Sequence, residues 1–470
     1  MTTDATSIRC LVFDLGAGSG RAMLVDLSGE NLSITELHRF SGYETRLEDG
    51  PAWDVEAIRA GIREGLRRAE NGPPVRSLAV DSWGVDFVLV GEDGEPVDQP
   101  RTYRHTRGQR GIEALDAHRE RIAERTGVQV LPIITVFHLY EWAKENPSLM
   151  ENARKMLMTA DFYAYDLSGI PACERTLGRT SGFLNVETGT WDEEVVGLTG
   201  LPHSLFCPIV AAGTPLGALK PSLATGPALR DTQVIAAAHH DTACAAFALA
   251  PGEGEAFAVC GSWNLIGIDV PEGHMPEEAR ALGLGLEGGV GGRALLTRSL
   301  PGLFLMRRLR DSWKAGTGED VDFVTLGRLA LDADPATPAI DVTDPRFFDP
   351  QDMVADMRGF HPGLAQAGIG ALSRALYTGL AQAVAACIRE LSQFSAKPIT
   401  AIRLGGGGGQ DAAWRHFLEK ASGCHVQAGI VEASVVGNAL IQFVALGALP
   451  SFAQAQALAR KSADSGAWTA

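Results

Sequence analysis

Residues 11–26 place two short apolar runs on either side of a turn that contains three glycines. The runs, at 11–13 and 22–25, have the length and composition of β-strands, and Gly16, Gly18 and Gly20 lie between them. This pattern predicts a β-hairpin whose tip offers backbone N–H groups to an anion such as phosphate. A dinucleotide-binding turn fits less well, because it requires the third glycine one residue later and a helix after it. A plain hairpin turn without a function is the other interpretation.

Two charged residues flank this turn. Asp14 stands directly before it and Arg21 directly after it. One carboxylate beside a loop that holds phosphates is a suitable neighbour for a magnesium ion.

The same order of elements occurs twice in the chain. Residues 257–270 repeat the pattern of an apolar run, a turn of small residues and a second apolar run. In the first half a predicted helix at 57–69 leads into a predicted strand at 75–80. In the second half a helix at 372–394 leads into a strand at 399–404. This repetition indicates an ancient duplication.

The chain has 470 residues, which is too long for one hydrophobic core. We therefore predict two domains, 1–250 and 251–470. The formal net charge of −16 argues against nucleic acid or an anionic membrane surface as the main partner. The seven cysteines show no C-x-x-C spacing, which indicates reduced thiols, and no export signal opens the sequence. We expect a cytoplasmic protein, as a monomer or a homodimer, that binds small molecules.

Residues 77–90 predict a second hairpin with its turn at 82–84. Trp83 lies in this turn between Asp81 and Asp86. An indole face with carboxylates nearby is a common way to hold a sugar, because the ring covers the C–H face and the acids accept hydroxyl protons. Packing of Trp83 between domains is an equally open interpretation.

Residues 234–247 predict a strand, the sequence His239-His240-Asp241-Thr242, and then a helix of small residues. Asp241 is either the N-cap of that helix or a catalytic carboxylate. Adjacent positions point the two imidazole rings to different sides, so the histidines fit hydrogen-bonded structure better than a shared metal ion.

Five glycines at 405–409 separate a predicted strand from a predicted helix at 411–421. A strand, glycine turn and helix can direct free N–H groups at a nucleotide, although such turns also permit close packing. We also expect a helix at 299–313 and a surface excursion without regular structure at 315–362.

Six motifs in order give the chain a resemblance to the FGGY family of carbohydrate kinases over nearly its whole length. Within that family it is most similar to the kinases of L-rhamnulose. The motifs are D-L-G-A-G-S-G-R at 14–21, D-S-W-G-V-D-F at 81–87, H-D-T at 240–242, G-S-W at 261–263, G-G-G-G-Q-D at 406–411 and V-E-A-S-V-V-G-N at 431–438.

The resemblance implies an α/β fold, with two domains of the actin-like ATPase (ribonuclease H-like) fold around a central cleft. It implies ATP and Mg²⁺ as reactants, Asp241 as the general base and Asp14 near the metal ion. The implied nucleotide-binding residues are Ala17, Gly18, Ser19, Gly20, Arg21, Ser262, Arg307, Gly406 and Gly407. The implied substrate-binding residues are Trp83, Gly84, His240, Asp241, Thr242 and Ser299.

Some positions depart from the family pattern. Ser299 aligns with an asparagine of the sugar site, Arg307 with a glutamine that contacts the nucleotide, and Gly18 and Gly182 with polar residues. Losing a long polar side chain from a sugar pocket changes which hydroxyl pattern is accepted. The expected reaction is phosphorylation of L-rhamnulose or a related (deoxy)ketose at its terminal hydroxyl. The alternatives are a kinase for L-fuculose or L-xylulose, and an idle sensor that binds sugar or nucleotide.

Overall fold

A computed structural model describes residues 7–261, 263–348 and 350–464. In this part of the chain the strands are β1 (Ile8–Leu15), β2 (Ser19–Ser28), β3 (Asn31–Ser41), β4 (Glu44–Leu47), β5 (Gly50–Trp53), β6 (Val75–Ser82), β7 (Phe87–Val90), β8 (Lys155–Met158), β9 (Cys173–Glu174), β10 (Ile209–Val210), β11 (Thr214–Ala218), β12 (Gln233–Ala236), β13 (Glu255–Cys260), β14 (Trp263–Pro271), β15 (Gly285–Gly288), β16 (Arg293–Pro301), β17 (Ala401–Gly405) and β18 (His425–Ala428).

The α-helices of the same residues alternate with these strands along much of the chain. They are α1 (Val55–Ala69), α2 (Arg107–Ala114), α3 (Arg119–Thr126), α4 (Thr135–Glu145), α5 (Pro147–Met150), α6 (Thr159–Ser168), α7 (Arg175–Arg179), α8 (Glu193–Thr199), α9 (Asp241–Leu249), α10 (Glu277–Ala281), α11 (Phe304–Thr317), α12 (Phe323–Asp332), α13 (Met353–Phe360), α14 (Ile369–Leu391), α15 (Ala412–Ser422), α16 (Ala433–Ala445) and α17 (Phe452–Asp464).

The chain forms two compact units, and neither is a continuous segment. The first consists of Met1–Ala250, Val270–Leu295 and Ser434–Ala470, and the second of Pro251–Asp269 and Leu296–Ala433. Helices α16 and α17, which are late in the chain, therefore belong to the same unit as β1 and α9.

A six-stranded sheet organises the first unit, in the order β11-β12-β6-β1-β2-β3. β1 pairs antiparallel with β2 and parallel with β6, and β6 is also parallel to β12. In the second unit β16, β14, β13, β17 and β18 follow one another in that order. There β13 pairs antiparallel with β14 and parallel with β17. The repeated order of hairpin, helix and parallel strand predicted from the sequence is confirmed.

Helix α1 covers one face of the first sheet at short range because it carries glycines where it meets the strands. A Cβ atom at Gly65 would lie 2.6 Å from Cβ of Ala22, and one at Gly61 would lie 2.4 Å from the Phe40 ring. Asp54 caps the start of the helix by accepting a hydrogen bond from the Ala57 amide at 3.0 Å. The predicted helix at 57–69 is thus confirmed, with two more residues at its start.

Helix α14 is the only described helix that is long and apolar enough to cross a membrane. The helix predicted at 372–394 is confirmed, and one apolar face of it is buried. The residues of that face, all at most 1 % exposed, are Leu372, Leu376, Leu380, Val384, Cys387 and Leu391. The helix packs against α12 and α15, as a core helix of a folded domain does.

Three expectations about local structure are wrong. β6 and β7 do not form a hairpin, since β7 pairs with β8 in a separate two-stranded sheet. Ser299 lies in strand β16, and the helix that follows begins only at Phe304, after Pro301. The segment 315–362 contains α12 and α13, whose apolar side chains at Leu326 and Met353 are fully buried.

Candidate active site

The turn between β1 and β2 is the predicted phosphate loop. Strand pairing ends at Leu15 and Gly20, and the Gly16 amide donates to the Ser19 carbonyl at 3.1 Å. Gly18 is exposed, and a Cβ atom added there would contact nothing within 4 Å. Gly20 is buried, and a Cβ there would meet the Phe40 ring at 2.4 Å. The tip of the turn is thus free to accept a ligand, whereas Gly20 permits close packing.

Asp14 and Arg21 form an ion pair beside this turn. They are directly opposite each other in the hairpin register, and Arg21 Nη2 donates to Asp14 Oδ2. Both side chains are largely buried. Arg21 is therefore the ion-pair partner of the carboxylate that the sequence analysis expects near a metal ion.

A second carboxylate lies next to Asp14 on the neighbouring strand. Asp81, on β6, is paired with Asp14 in the parallel register and is completely buried. Its Oδ2 accepts a hydrogen bond from Asn438 Nδ2 at 2.7 Å. Burial, and then the charge of Asp14, hold the pKa of Asp81 well above its usual range.

Asn438 belongs to a buried chain of polar groups on helix α16. Its Oδ1 accepts from Gln442 Nε2 at 2.8 Å, and Gln442 Oε1 accepts from Ser77 Oγ at 2.6 Å. All three side chains are inaccessible to solvent. Because buried polar groups are costly unless paired, this chain fixes α16 against the strand that carries Asp81.

Asp241 is the first residue of α9. Its Oδ1 accepts from the amide and the hydroxyl of Thr242, at 2.5 and 3.2 Å. The side chain is 30 % exposed, so a ligand can reach it. Burial, and then the charge of Asp14, raise the pKa of Asp241 to about 7. The N-cap interpretation is wrong, since the cap position of α9 is His240 and its side chain makes no capping bond.

The two histidines point in different directions, as predicted. His239 Nδ1 lies 2.6 Å from Asp161 Oδ1, in the buried interior. His240 Nε2 lies 3.6 Å from Asp241 Oδ1. Burial lowers the pKa of His240 to about 4, so its imidazole is neutral near pH 7.

Glu174 is a residue of this region that the sequence interpretation missed. Its Oε2 accepts from the amides of Thr176 and His239, at 3.0 and 2.9 Å. It therefore caps α7 and also fixes the segment that enters α9. Glutamate is not a common N-cap residue, and the amide of His239 is distant in sequence, so no short-range pattern marks this role.

Gly84 approaches the Asp241 region closely. A Cβ atom at Gly84 would lie 3.3 Å from His240 Nε2 and 3.1 Å from Thr180 Cγ2. The next residue, Val85, has φ of 69° and donates its amide to Thr180 Oγ1 at 2.9 Å. The structure thus brings together Gly84, His240, Asp241 and Thr242.

Trp83 turns away from that group of residues. Its ring stacks on Tyr43, with centroids 6.3 Å apart, and lies 4.5 Å from the Trp53 ring. Its Nε1 donates to Asp86 Oδ2 at 2.8 Å, and only 7 % of the residue is exposed. The indole packs inside the first unit rather than between domains, and a contact with sugar stays a prediction.

In the second unit the glycines after β17 pack against the end of β13. Gly406 has φ of 79°, and a Cβ atom there would lie 2.8 Å from the Cys260 carbonyl oxygen. Gly407 is exposed and would contact nothing. Asp411 ends this turn and caps α15 by accepting from the amides of Ala413 and Trp414.

The other predicted residues of the second unit are exposed or outside the described residues. Ser262 lies outside them. Its neighbour Gly261 is exposed, and the Gly261 carbonyl accepts from the Leu303 amide, just before α11, at 3.2 Å. Ser299 on β16 and Arg307 on α11 are both exposed. Their roles stay predictions.

Comparison with known proteins agrees with this arrangement. Residues 9–248 match the FGGY family of carbohydrate kinases, N-terminal domain, and residues 256–446 match the C-terminal domain of that family. A rhamnulokinase of Yersinia pestis (strain Pestoides F) is 30% identical over 448 residues, which cover 93% of this chain and 90% of that protein. A rhamnulokinase of Klebsiella pneumoniae (strain 342) is 31% identical over 477 residues, covering 98% and 95%.

Solved structures show the same fold at low sequence identity. A ligand-bound xylulose kinase from Lactobacillus acidophilus superposes with a TM-score of 0.81 at 13% identity, covering 96% of this chain and 92% of that one. Plasmodium falciparum glycerol kinase with ADP gives 0.80 at 14% identity, with the same coverage. The α/β, actin-like ATPase fold expected from the sequence is confirmed.

Proposed function

The chain belongs to the FGGY family of carbohydrate kinases, and we propose that it transfers the γ-phosphoryl group of ATP to the terminal hydroxyl of L-rhamnulose or a related (deoxy)ketose. The observation that carries the proposal is the accessible carboxylate of Asp241, next to His240 and Gly84. The identity of about 30% with rhamnulokinases supports the choice of sugar. The functional domains are proposed to divide near residue 250, between the segments that match the two family domains.

In the proposed reaction Asp241 is the general base. The sugar hydroxyl oxygen forms a bond to the γ-phosphorus, the bond from that phosphorus to the β–γ bridging oxygen breaks, and ADP leaves with that electron pair. The hydroxyl proton passes to a carboxylate oxygen of Asp241. Because bond cleavage to the leaving group runs ahead of bond formation in such transfers, the position of the carboxylate matters more than its basicity. Thr242 restrains that position by donating two hydrogen bonds to Asp241.

The residues near Asp14 fit a magnesium ion. Among the described residues no three acidic, histidine or cysteine side chains converge as a metal site. Magnesium bound to a nucleotide, however, keeps several waters and needs only one or two carboxylates. Asp14 and the adjacent Asp81 offer such oxygens. Burial, and then the charge of Asp14, raise the pKa of Asp81, and a divalent cation would offset the second of these causes. When bound, the ion would neutralise charge on the transferring phosphates.

Nucleotide binding is proposed for a turn in each unit. The tip formed by Ala17, Gly18 and Ser19, at which Gly18 is exposed, would hold phosphate oxygens through backbone N–H groups. In this proposal Gly20 shapes the turn by packing against Phe40 rather than by direct contact. In the second unit Ser262, Arg307, Gly406 and Gly407 are proposed for the remaining contacts, with Gly407 directly accessible.

The sugar is the least constrained part of the proposal. Ser299 stands where related kinases are expected to have an asparagine, so kinases of L-fuculose or L-xylulose are the alternatives. A panel of ketoses, polyols and aldoses, incubated with ATP and Mg²⁺ and analysed by mass spectrometry, tests the choice. Formation of a monophosphate from L-rhamnulose at the highest kcat/KM supports it. If another ketose gives a higher kcat/KM, that ketose is the substrate instead of L-rhamnulose. If no sugar phosphate forms, an idle binding protein is favoured.

A further inference from the structure

Glu287 is a carboxylate of the first unit to which the sequence assigns no role. It lies in β15, within a glycine-rich stretch. Its Oε2 is 3.5 Å from Nδ1 of His240, the imidazole whose Nε2 faces Asp241 at 3.6 Å. The two carboxylates therefore lie near the same imidazole ring, one beside each ring nitrogen.

Both carboxylates can be reached by a ligand, whereas the ring between them is enclosed. The side chains of Asp241 and Glu287 are 30 % and 23 % exposed, and that of His240 is 8 % exposed. His240 Nδ1, which faces Glu287, is buried without a hydrogen-bond partner among the described residues. Glu287 Oε2, which faces this nitrogen, is buried as well, so a ligand reaches Glu287 at the exposed part of its side chain rather than at the ring nitrogen.

The chemistry of the three groups selects hydroxyls. Ionised carboxylates only accept hydrogen bonds, and a neutral imidazole has one donor and one acceptor. A polyhydroxy ligand supplies donors to both acids and can pair with the ring. Asp241 and Glu287 are both acidic and both partly exposed, so a sugar that itself carries a carboxylate would meet like charges at this place.

We propose that Glu287 is a second substrate-binding carboxylate, which accepts a hydrogen bond from a hydroxyl other than the one that is phosphorylated. Asp241 and Glu287 then hold one neutral sugar at two hydroxyls, with His240 between them. This inference rests on the proposed function and deepens it, because it restricts the substrate to neutral polyhydroxy sugars and excludes sugar acids.

The test combines variants of Glu287 with sugars that lack one hydroxyl each. Binding is measured by calorimetry without nucleotide, and KM and kcat with the best substrate of the panel. We expect Glu287→Ala to weaken binding of the parent sugar about 10- to 100-fold, with kcat changed less than about threefold, because a hydrogen bond to a charged group is lost away from the reacting oxygen. Glu287→Gln keeps an acceptor oxygen and should lose less.

One deoxy sugar should then distinguish direct contact from an indirect effect. Wild type should bind the analogue that lacks the contacted hydroxyl more weakly than it binds the parent sugar. Glu287→Ala should bind this analogue and the parent sugar with equal affinity, because the contact is already lost. Equal losses for every analogue, or parent binding unchanged in Glu287→Ala, would overturn the proposal. Tight binding of the matching sugar acid to wild type would also overturn it.

Two controls protect this conclusion. Glu277→Gln removes the same charge from an exposed site on α10 and should bind sugar as wild type does. Unfolding temperatures without sugar show that each variant is folded, and Glu287→Gln replaces Glu287→Ala if the latter is not. If wild type binds a sugar but forms no sugar phosphate, the proposed function is wrong. The role of Glu287 is still decided in that case, because the calorimetric comparison of the variants does not depend on phosphate transfer.

Discussion

Asp14 and Asp81 lie side by side at the carboxyl ends of the neighbouring parallel strands β1 and β6. Arg21 pairs with the first, and Asn438 donates to the second. The two acids therefore have separate partners, although they are paired in the sheet. This arrangement places two carboxyl groups where the proposed reaction brings a magnesium nucleotide.

Replacing Asp81 with Asn should change how stability depends on pH. The pKa of Asp81 is raised in the folded protein, so the folded state holds this proton more tightly than the unfolded chain does. The stability gained in this way is complete below about pH 4 and is lost as the pH rises through the folded-state pKa. Without divalent cations, urea unfolding should show wild-type stability falling towards neutral pH more steeply than that of Asp81→Asn. Parallel curves would contradict this prediction.

Replacing Asn438 with Ala should destabilise the first unit. The change leaves Asp81 Oδ2 buried without its donor and leaves Gln442 Nε2 with only the Leu11 carbonyl, at 3.2 Å, as acceptor. We expect this to cost about 3 kcal/mol in free energy of unfolding. Gln454→Ala, at an exposed position on α17 in the same unit, is the control and should change stability by less than about 0.5 kcal/mol. Chemical denaturation measures both, and equal effects would show that the buried chain of polar groups contributes nothing.

Two neighbouring glycines of the second unit should respond differently to alanine. At Gly406 the positive φ and the Cys260 carbonyl at 2.8 Å exclude a Cβ atom, so Gly406→Ala should lower the unfolding temperature. At Gly407 there is space and no positive φ, so Gly407→Ala should leave stability unchanged. If Gly407 contacts the nucleotide, its variant should still raise the KM for ATP. An unchanged KM would remove Gly407 from the nucleotide site.

The pH profile of turnover should report Asp241. With its pKa near 7, the carboxylate is protonated in acid and cannot accept the hydroxyl proton. We therefore expect kcat/KM for the sugar, measured at low substrate and nucleotide, to rise with pH through about 7. Asp14→Asn removes a negative charge that raises the pKa of Asp241. The pH profile of the activity that remains in this variant should therefore be shifted to lower pH. A profile unchanged in position by Asp14→Asn would contradict the coupling between the two acids.

The sequence predicted those features that short-range patterns encode. The hairpins β1–β2 and β13–β14 and the helix α14 follow from apolar spacing and were predicted correctly. The pairing partner of β7 was wrong, because alternation of apolar residues does not say which strand lies alongside. Glu174 and Glu287 were missed because their partners, His239 and His240, are distant in sequence. The roles of Asp14 and Asp241 came from resemblance to a family rather than from composition.

If Asp241 is the base of a sugar kinase, Asp241→Asn removes the group that accepts the hydroxyl proton. ADP release from ATP and Mg²⁺ is measured by coupled assay with the best sugar of the panel, for wild type, Asp241→Asn and the exposed control Asp231→Asn. We expect kcat to fall about 10²- to 10⁴-fold in Asp241→Asn, with the fold intact, while Asp231→Asn matches wild type. Sugar-dependent ADP release by Asp241→Asn at the wild-type rate would show that Asp241 is not the base.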